Sequence, residues 1–190
     1  MQTLGLSDST PHTESRLKSL FWPSIQTGSD VDYLGMQGYW VCTIVAIISL
    51  CVLTANSHLI LALIVSSYFY LGGVGVRQRS SYAAAMVLFM YSLDTIPIIR
   101  TAQLGGIVLR ILLLSLLLSN FRATWIASHW KGDSEEAALP QRLGGTWSDT
   151  FANLLPLWLW PKLRIPYYIY SSLIAALTVV GLIIQYSHRD

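Results

Sequence analysis

The sequence predicts an all-α membrane protein: a polytopic transmembrane helical bundle of five spans, with one short interfacial helix before the last. Three observations carry that reading. The chain has 190 residues, 53% of them hydrophobic and only 12% charged, whereas soluble domains carry about 25% charged residues. Its apolar residues are gathered into runs of about 17–20, the length that crosses a hydrocarbon core of about 30 Å at 1.5 Å per residue. The runs are continuous, as in Ile107–Leu118, and lack the period-two alternation of a membrane β-barrel.

Residues 1–38 form a mostly polar tail with Asp8, Glu14, Asp30 and Asp32. No signal peptide or lipidation motif is read in it. Residues 1–12 are small and polar and are expected to lack order. Leu17, Leu20 and Phe21 fall at helical spacing beside Arg16 and Lys18, a short amphipathic turn suited to a membrane surface. The four-span core follows over 39–130. Its first span is 39–55, opened by Tyr39 and Trp40 at headgroup level. Asn56–His58 makes a tight turn, because one helix over 39–76 would be about 57 Å long, nearly twice the core thickness. The second span, 59–76, ends in Gly72-Gly73-Val74-Gly75, which either frays or admits a close neighbour. The third, 81–99, opens on Ala83-Ala84-Ala85 and carries Asp94 and Pro97. The fourth, 103–128, is leucine-rich with Arg110 near its start.

Residues 131–165 form a polar loop. Within it, Ser148 and Asp149 cap a short interfacial helix over 148–155, which Pro156 stops. An extended aromatic segment to Trp160-Pro161 follows. The fifth span is 166–187, with Pro166 at its first helical position and tyrosines at both ends. With five spans and the N-terminus inside, the inner segments hold nine cations (Arg16, Lys18, Arg77, Arg79, Arg122, Lys131, Arg142, Lys162 and Arg164) against two outside (Arg100 and Arg189). That asymmetry favours N-in, C-out in a cytoplasmic membrane.

Asp94 and Arg110 are the sharpest candidates. Spans three and four fold back at a polar corner over 100–105, and each charge lies eight residues from a corner centred on Ala102. They therefore sit at matched depth. A lone charge near the middle of a span costs about 2.5–3.5 kcal/mol, so the two gain by pairing. They form either a structural clamp or part of a polar pathway. A second cluster, Trp147, Trp158, Trp160, Lys162, Arg164 and Tyr167, reads as an interfacial aromatic and basic belt that touches lipid headgroups or a partner.

Other residues carry less. Cys42 and Cys51 are nine apart, about 900° around a helix, and face opposite sides. Ser115, Ser119 and Arg122 share a helix face and suit packing. His12, His58, His129 and His188 all lie outside the spans, so no haem or other cofactor and no metal is expected. No G-x-S-x-G, H-E-x-x-H or phosphate-loop motif is present. Net charge is only +2, which gives no basis for nucleic-acid binding. Expected partners are the lipid bilayer and a membrane protein or a second copy of the chain. The function expected is a non-catalytic accessory, assembly or scaffolding component. One alternative is a small-solute transporter or channel using Asp94 and Arg110. A second is a lipid-modifying enzyme working at the inner interface near Arg122, His129, Asp149 and the tryptophans.

Overall fold

The computed structural model of the chain describes residues 21–25, 28–99, 104–129, 147 and 150–187. Five long helices account for nearly all of them, and among the described residues there is no strand. They are α1 (Gly28–Ala55), α2 (Leu59–Arg77), α3 (Ser81–Ile99), α4 (Leu104–His129) and α5 (Leu155–Ser187). A short π-helical turn, Thr150–Leu154, leads into α5. The amphipathic turn expected before Phe21, the corner over 100–103, the loop over 130–146 and the caps Ser148 and Asp149 lie outside the described residues.

Four helices, α1, α2, α4 and α5, are long and apolar enough to cross a membrane. That is the build of an integral membrane protein. These four helices support a polytopic membrane protein, and the expected count of five is not shown by them. The fifth long helix, α3, has 19 residues, as α2 has, and carries Asp94 and Pro97 in its second half.

Two boundaries differ from the sequence reading. The first helix begins at Gly28 rather than at residue 39 and runs for 28 residues. Asp30 stands in its first turn, where a carboxylate complements the helix dipole. The second difference is at the other end of the chain. The short helix 148–155, extended segment and separate span 166–187 are replaced by one helix of 33 residues. Pro156 sits in its first turn, where a missing N–H costs nothing. Pro161 and Pro166 lie inside it, each removing one backbone bond. Trp160 and Tyr167, next to those prolines, are buried at 8% and 1% exposure, and their packing holds the helix through the two gaps.

Both tight turns close by one device. In the α1–α2 turn Ser57 is left-handed at φ 64°. Its N–H reaches Thr54 O at 2.9 Å, and His58 N–H reaches Leu53 O at 2.9 Å. In the α2–α3 turn Arg79 is left-handed at φ 59°, with Arg79 N–H on Val76 O at 3.0 Å and Ser80 N–H on Gly75 O at 2.9 Å. These are Schellman closures, which usually carry glycine at the left-handed position. They turn the chain within three residues, so α2 packs on α1 and α3 on α2.

The core sits on α2. Its middle contributes Tyr68 and Phe69 to a cluster with Val41, Cys42 and Val45 of α1, Val87 and Tyr91 of α3, and Leu116 and Leu117 of α4. Its glycine-rich end joins Val74 to Tyr39, Ala83, Ala152, Trp160 and Tyr167. Close approach, not fraying, is the use of those glycines. A Cβ on Gly73 would stand 2.7 Å from Cys42 Cβ. One on Gly75 would overlap the Trp160 ring and Ala83 Cβ. Cys42 is buried and Cys51 exposed, as their spacing requires.

A side chain at φ 64° carries backbone strain that glycine relieves. Ser57→Gly should therefore raise the stability in detergent by roughly 0.5–1 kcal/mol, after its larger unfolded-state entropy is subtracted. Ser57→Val should lower it. Thermal melts of the two variants check this; equal melting temperatures would remove the strain argument.

Candidate functional site

The densest polar arrangement in the structure is centred on Arg77, the last residue of α2. Its side chain is 3% exposed. Every N–H of its guanidinium is directed at an acceptor. Nε donates to Ala152 O at 3.0 Å. Nη1 donates to Asp32 O at 3.0 Å and to Asp32 Oδ1 at 2.8 Å. Nη2 donates to Asp32 Oδ2 at 3.1 Å and to Asn153 Oδ1 at 2.7 Å. The planar fork thus spans the Asp32 carboxylate on one edge and the π-helical turn on the other. Arg79 extends the cluster, with Nη2 donating to Gly28 O at 3.1 Å and lying 3.9 Å from Asp32 Oδ1. Local folding brings these groups together. The cation ends α2, and the carboxylate lies near the start of the antiparallel α1, so each charge complements a helix dipole.

Asp94 and Arg110 meet. Arg110 Nη1 lies 3.0 Å from Asp94 Oδ2, also reaches Thr95 Oγ1 at 3.4 Å, and its guanidinium carbon lies 5.8 Å from the centre of the Tyr91 ring. Asp94 is 58% exposed, so the pair sits on the outer face of the α3–α4 hairpin.

The second cluster divides in two. Trp160 and Tyr167, seven apart, turn inward and belong to the core at the glycine-rich end of α2. Trp158 faces outward with Lys162 Nζ 3.8 Å over its ring. Arg164 donates from Nε to Tyr168 Oη at 3.2 Å, and Trp147 is exposed. A single belt would need them on one face; the five that lie on α5 occupy two.

The residues named for an interfacial enzyme are engaged separately. Arg122 donates to Pro23 O at 3.0 Å and stacks 4.5 Å over Trp22. His129 is exposed, 2.8 Å from Trp125 O and 4.8 Å from that ring. Asp149 lies outside the described residues. Among the described residues no group of three His, Cys, Asp or Glu side chains comes together for a metal. Ser115 bonds back to Leu112 O at 2.7 Å. Ser119 Oγ, Asn120 Oδ1 and Gln37 Oε1 are buried without a hydrogen-bond partner among the described residues.

Sequence reasoning missed the Arg77 network. Arg77 lies 45 positions from Asp32 and 76 from Asn153; Asp32 and Arg77 read singly as tail and loop residues, and Asn153 as part of the expected interfacial helix. The available signal was that all three fall on the same, inner side of the membrane in the expected topology. No protein-family model matches the chain, no curated protein is similar to it and no solved structure matches its fold.

Removing one partner of a buried ion pair strands the other. Arg77→Met should cost about 3 kcal/mol or more, and Arg77→Lys should not restore it, because an ammonium cannot bridge three acceptor sets. Denaturant titration in detergent reads both; a lysine variant of wild-type stability would remove the fork argument. For the second pair, Asp94→Asn should lower stability, and the swap of Asp94→Arg with Arg110→Asp should restore part of it, a coupling of about 0.5 kcal/mol or more. A swap as damaging as both single changes combined would show that the contact contributes nothing.

Proposed function

We propose that the protein is a non-catalytic accessory or assembly component of a cytoplasmic membrane, working by lateral contact with another membrane protein. The observation that carries this is a concave groove of about 530 Å³ on the outer face of the α1–α2 pair, walled by Trp40, Ile47, Leu50, Leu63, Tyr70 and Phe151. Thr43, Ser66 and Ser67 also line it. Small hydroxyl residues between apolar ridges are the chemistry by which helices approach closely in lipid. The strongest polar groups, by contrast, are occupied in tying helix ends together.

In this reading all five helices cross, α3 included. Ala83 lies at Gly75, Val87 at Gly72, and Tyr91 stands 6.2 Å from Phe69. That is an antiparallel course beside α2, and a helix that accompanies a spanning helix along its length crosses with it. The cation asymmetry then sets the N-terminus inside and the C-terminus outside. A transport pathway has less support, since Asp94 and Arg110 line neither this groove nor the polar pocket at the α2–α3 turn.

Extraction of the native protein in a mild detergent, followed by mass measurement of the intact particle, tests the reading. A second protein in fixed stoichiometry is the expected result, lost when Ser66→Leu and Ser67→Leu fill the groove. A monomer from the untreated membrane would overturn it.

A further inference from the structure

The α2–α3 turn and α5 line a polar pocket of about 400 Å³, distinct from the partner groove and sharing Arg79 with the edge of the Arg77 cluster. Gln78, Arg79, Ser80, Tyr82, Arg164 and Tyr168 are among its lining residues. It holds two guanidinium groups, and no carboxylate is among its described lining residues. We propose that it is a binding site for a phosphate group, of a phospholipid headgroup or of a soluble phosphate ester.

Four features support that chemistry. Arg79 and Arg164 approach from different elements, the turn and α5. Arg79 is anchored by Gly28 O at 3.1 Å. Asp32, the carboxylate beside it, gives both oxygens to Arg77 at 2.8 and 3.1 Å and lies 3.9 Å from Arg79 Nη2. Second, Gln78 Nε2 is buried with no hydrogen-bond partner among the described residues, a donor in need of an acceptor. Third, the pocket lies at the start of α3. Ser80 Oγ accepts from Ala83 N–H at 3.3 Å, but Ser81 and Tyr82 occupy the first turn, where N–H groups have no carbonyl within the helix and favour an anion. Fourth, the hydroxyls are held in place. Ser80 Oγ lies 3.0 Å from Tyr168 Oη, and the Tyr82 and Tyr168 rings pack at 4.4 Å.

The position fits a headgroup. On the same stretch of α5, Lys162 lies 3.8 Å over the exposed Trp158 ring, the pairing of cation and indole that settles at the membrane–water boundary. A bilayer phosphate at that level enters the pocket sideways. A soluble phosphate ester enters from the aqueous side and meets the same donors.

The test uses the full chain in detergent with two probes, vesicle-derived phosphatidylglycerol followed by native mass spectrometry, and inorganic phosphate followed by thermal melting. Two variants accompany it. Arg164→Gln changes an exposed side chain. Arg79→Gly places at the left-handed position the residue that closure favours, so it removes the cation while preserving the turn. Each lost charge-assisted bond should weaken binding about tenfold or more. Phosphatidylglycerol retained by the wild type and lost in both variants assigns the site to lipid. A melting temperature raised by inorganic phosphate in the wild type alone, without lipid retention, assigns it to a soluble phosphate. Equal retention and equal melting shifts in wild type and variants, or no effect of either probe, overturn the proposal. If Arg79→Gly fails to fold, Arg164→Gln alone decides between these outcomes.

Discussion

The fold depends on the way one guanidinium is satisfied. Arg77 is buried at the point where α1, α2 and the π-helical turn before α5 converge, and it ties all three with hydrogen bonds of 2.7–3.1 Å. An isolated charge there would be costly. Once each N–H has an acceptor, the same charge fixes geometry, because the fork accepts only partners lying in its plane. The start of α1 cannot slide along α2 without breaking the Asp32 bonds. The entry to α5 cannot rotate without breaking those to Ala152 and Asn153. The π-helical turn is the local adjustment that presents both a carbonyl and an amide oxygen to one side chain.

That constraint and the close packing beside it are mutually dependent. Gly73 and Gly75 let α1, α3 and α5 approach the same stretch of α2 that Arg77 terminates. Without that approach Asp32 and Asn153 would not reach the guanidinium. Without the guanidinium, three helix ends would carry unpaired polar groups in a buried place. The large aromatics complete the arrangement. Tyr39, Tyr68 and Tyr167 are nearly inaccessible and fill the volume the glycines leave. The opposite end of the molecule is built more loosely, with the Asn56–His58 turn exposed and the Asp94–Arg110 contact on an outer face.

What was legible in the sequence follows from this difference. The apolar runs gave membrane-crossing helices because burial in lipid needs length and little else. The Asn56–His58 turn was legible because a helix twice the bilayer thickness has to fold back. The contact of Asp94 with Arg110 was legible because both lie on one hairpin and their depth can be counted from its corner. The Arg77 network was not, since its members come from three segments whose juxtaposition is a product of the fold. The stretch before Tyr39 looked like a linker because it is polar and carries Asp30 and Asp32; packed, Gly35 stands against Val76 O and Gly38 against Asn120. Prolines misled at α5. Their local cost is real, but the buried rings of Trp160 and Tyr167 on one face outweigh it.

The two ends therefore have different capacities. At the Arg77 end the helices cannot move apart singly, so anything bound there meets a preformed surface and loses little in ordering it. The proposed phosphate pocket beside Arg79 and the groove beside Tyr70 both border this rigid region, one at its polar rim and one on its apolar flank. A headgroup seated in the first and a neighbouring helix laid in the second would each press on elements already joined through Arg77. A rigid end that offers a charged notch and an apolar groove is suited to holding a partner at fixed depth and orientation in the bilayer. Under the proposed function that is a positional task, and it requires no reacting group.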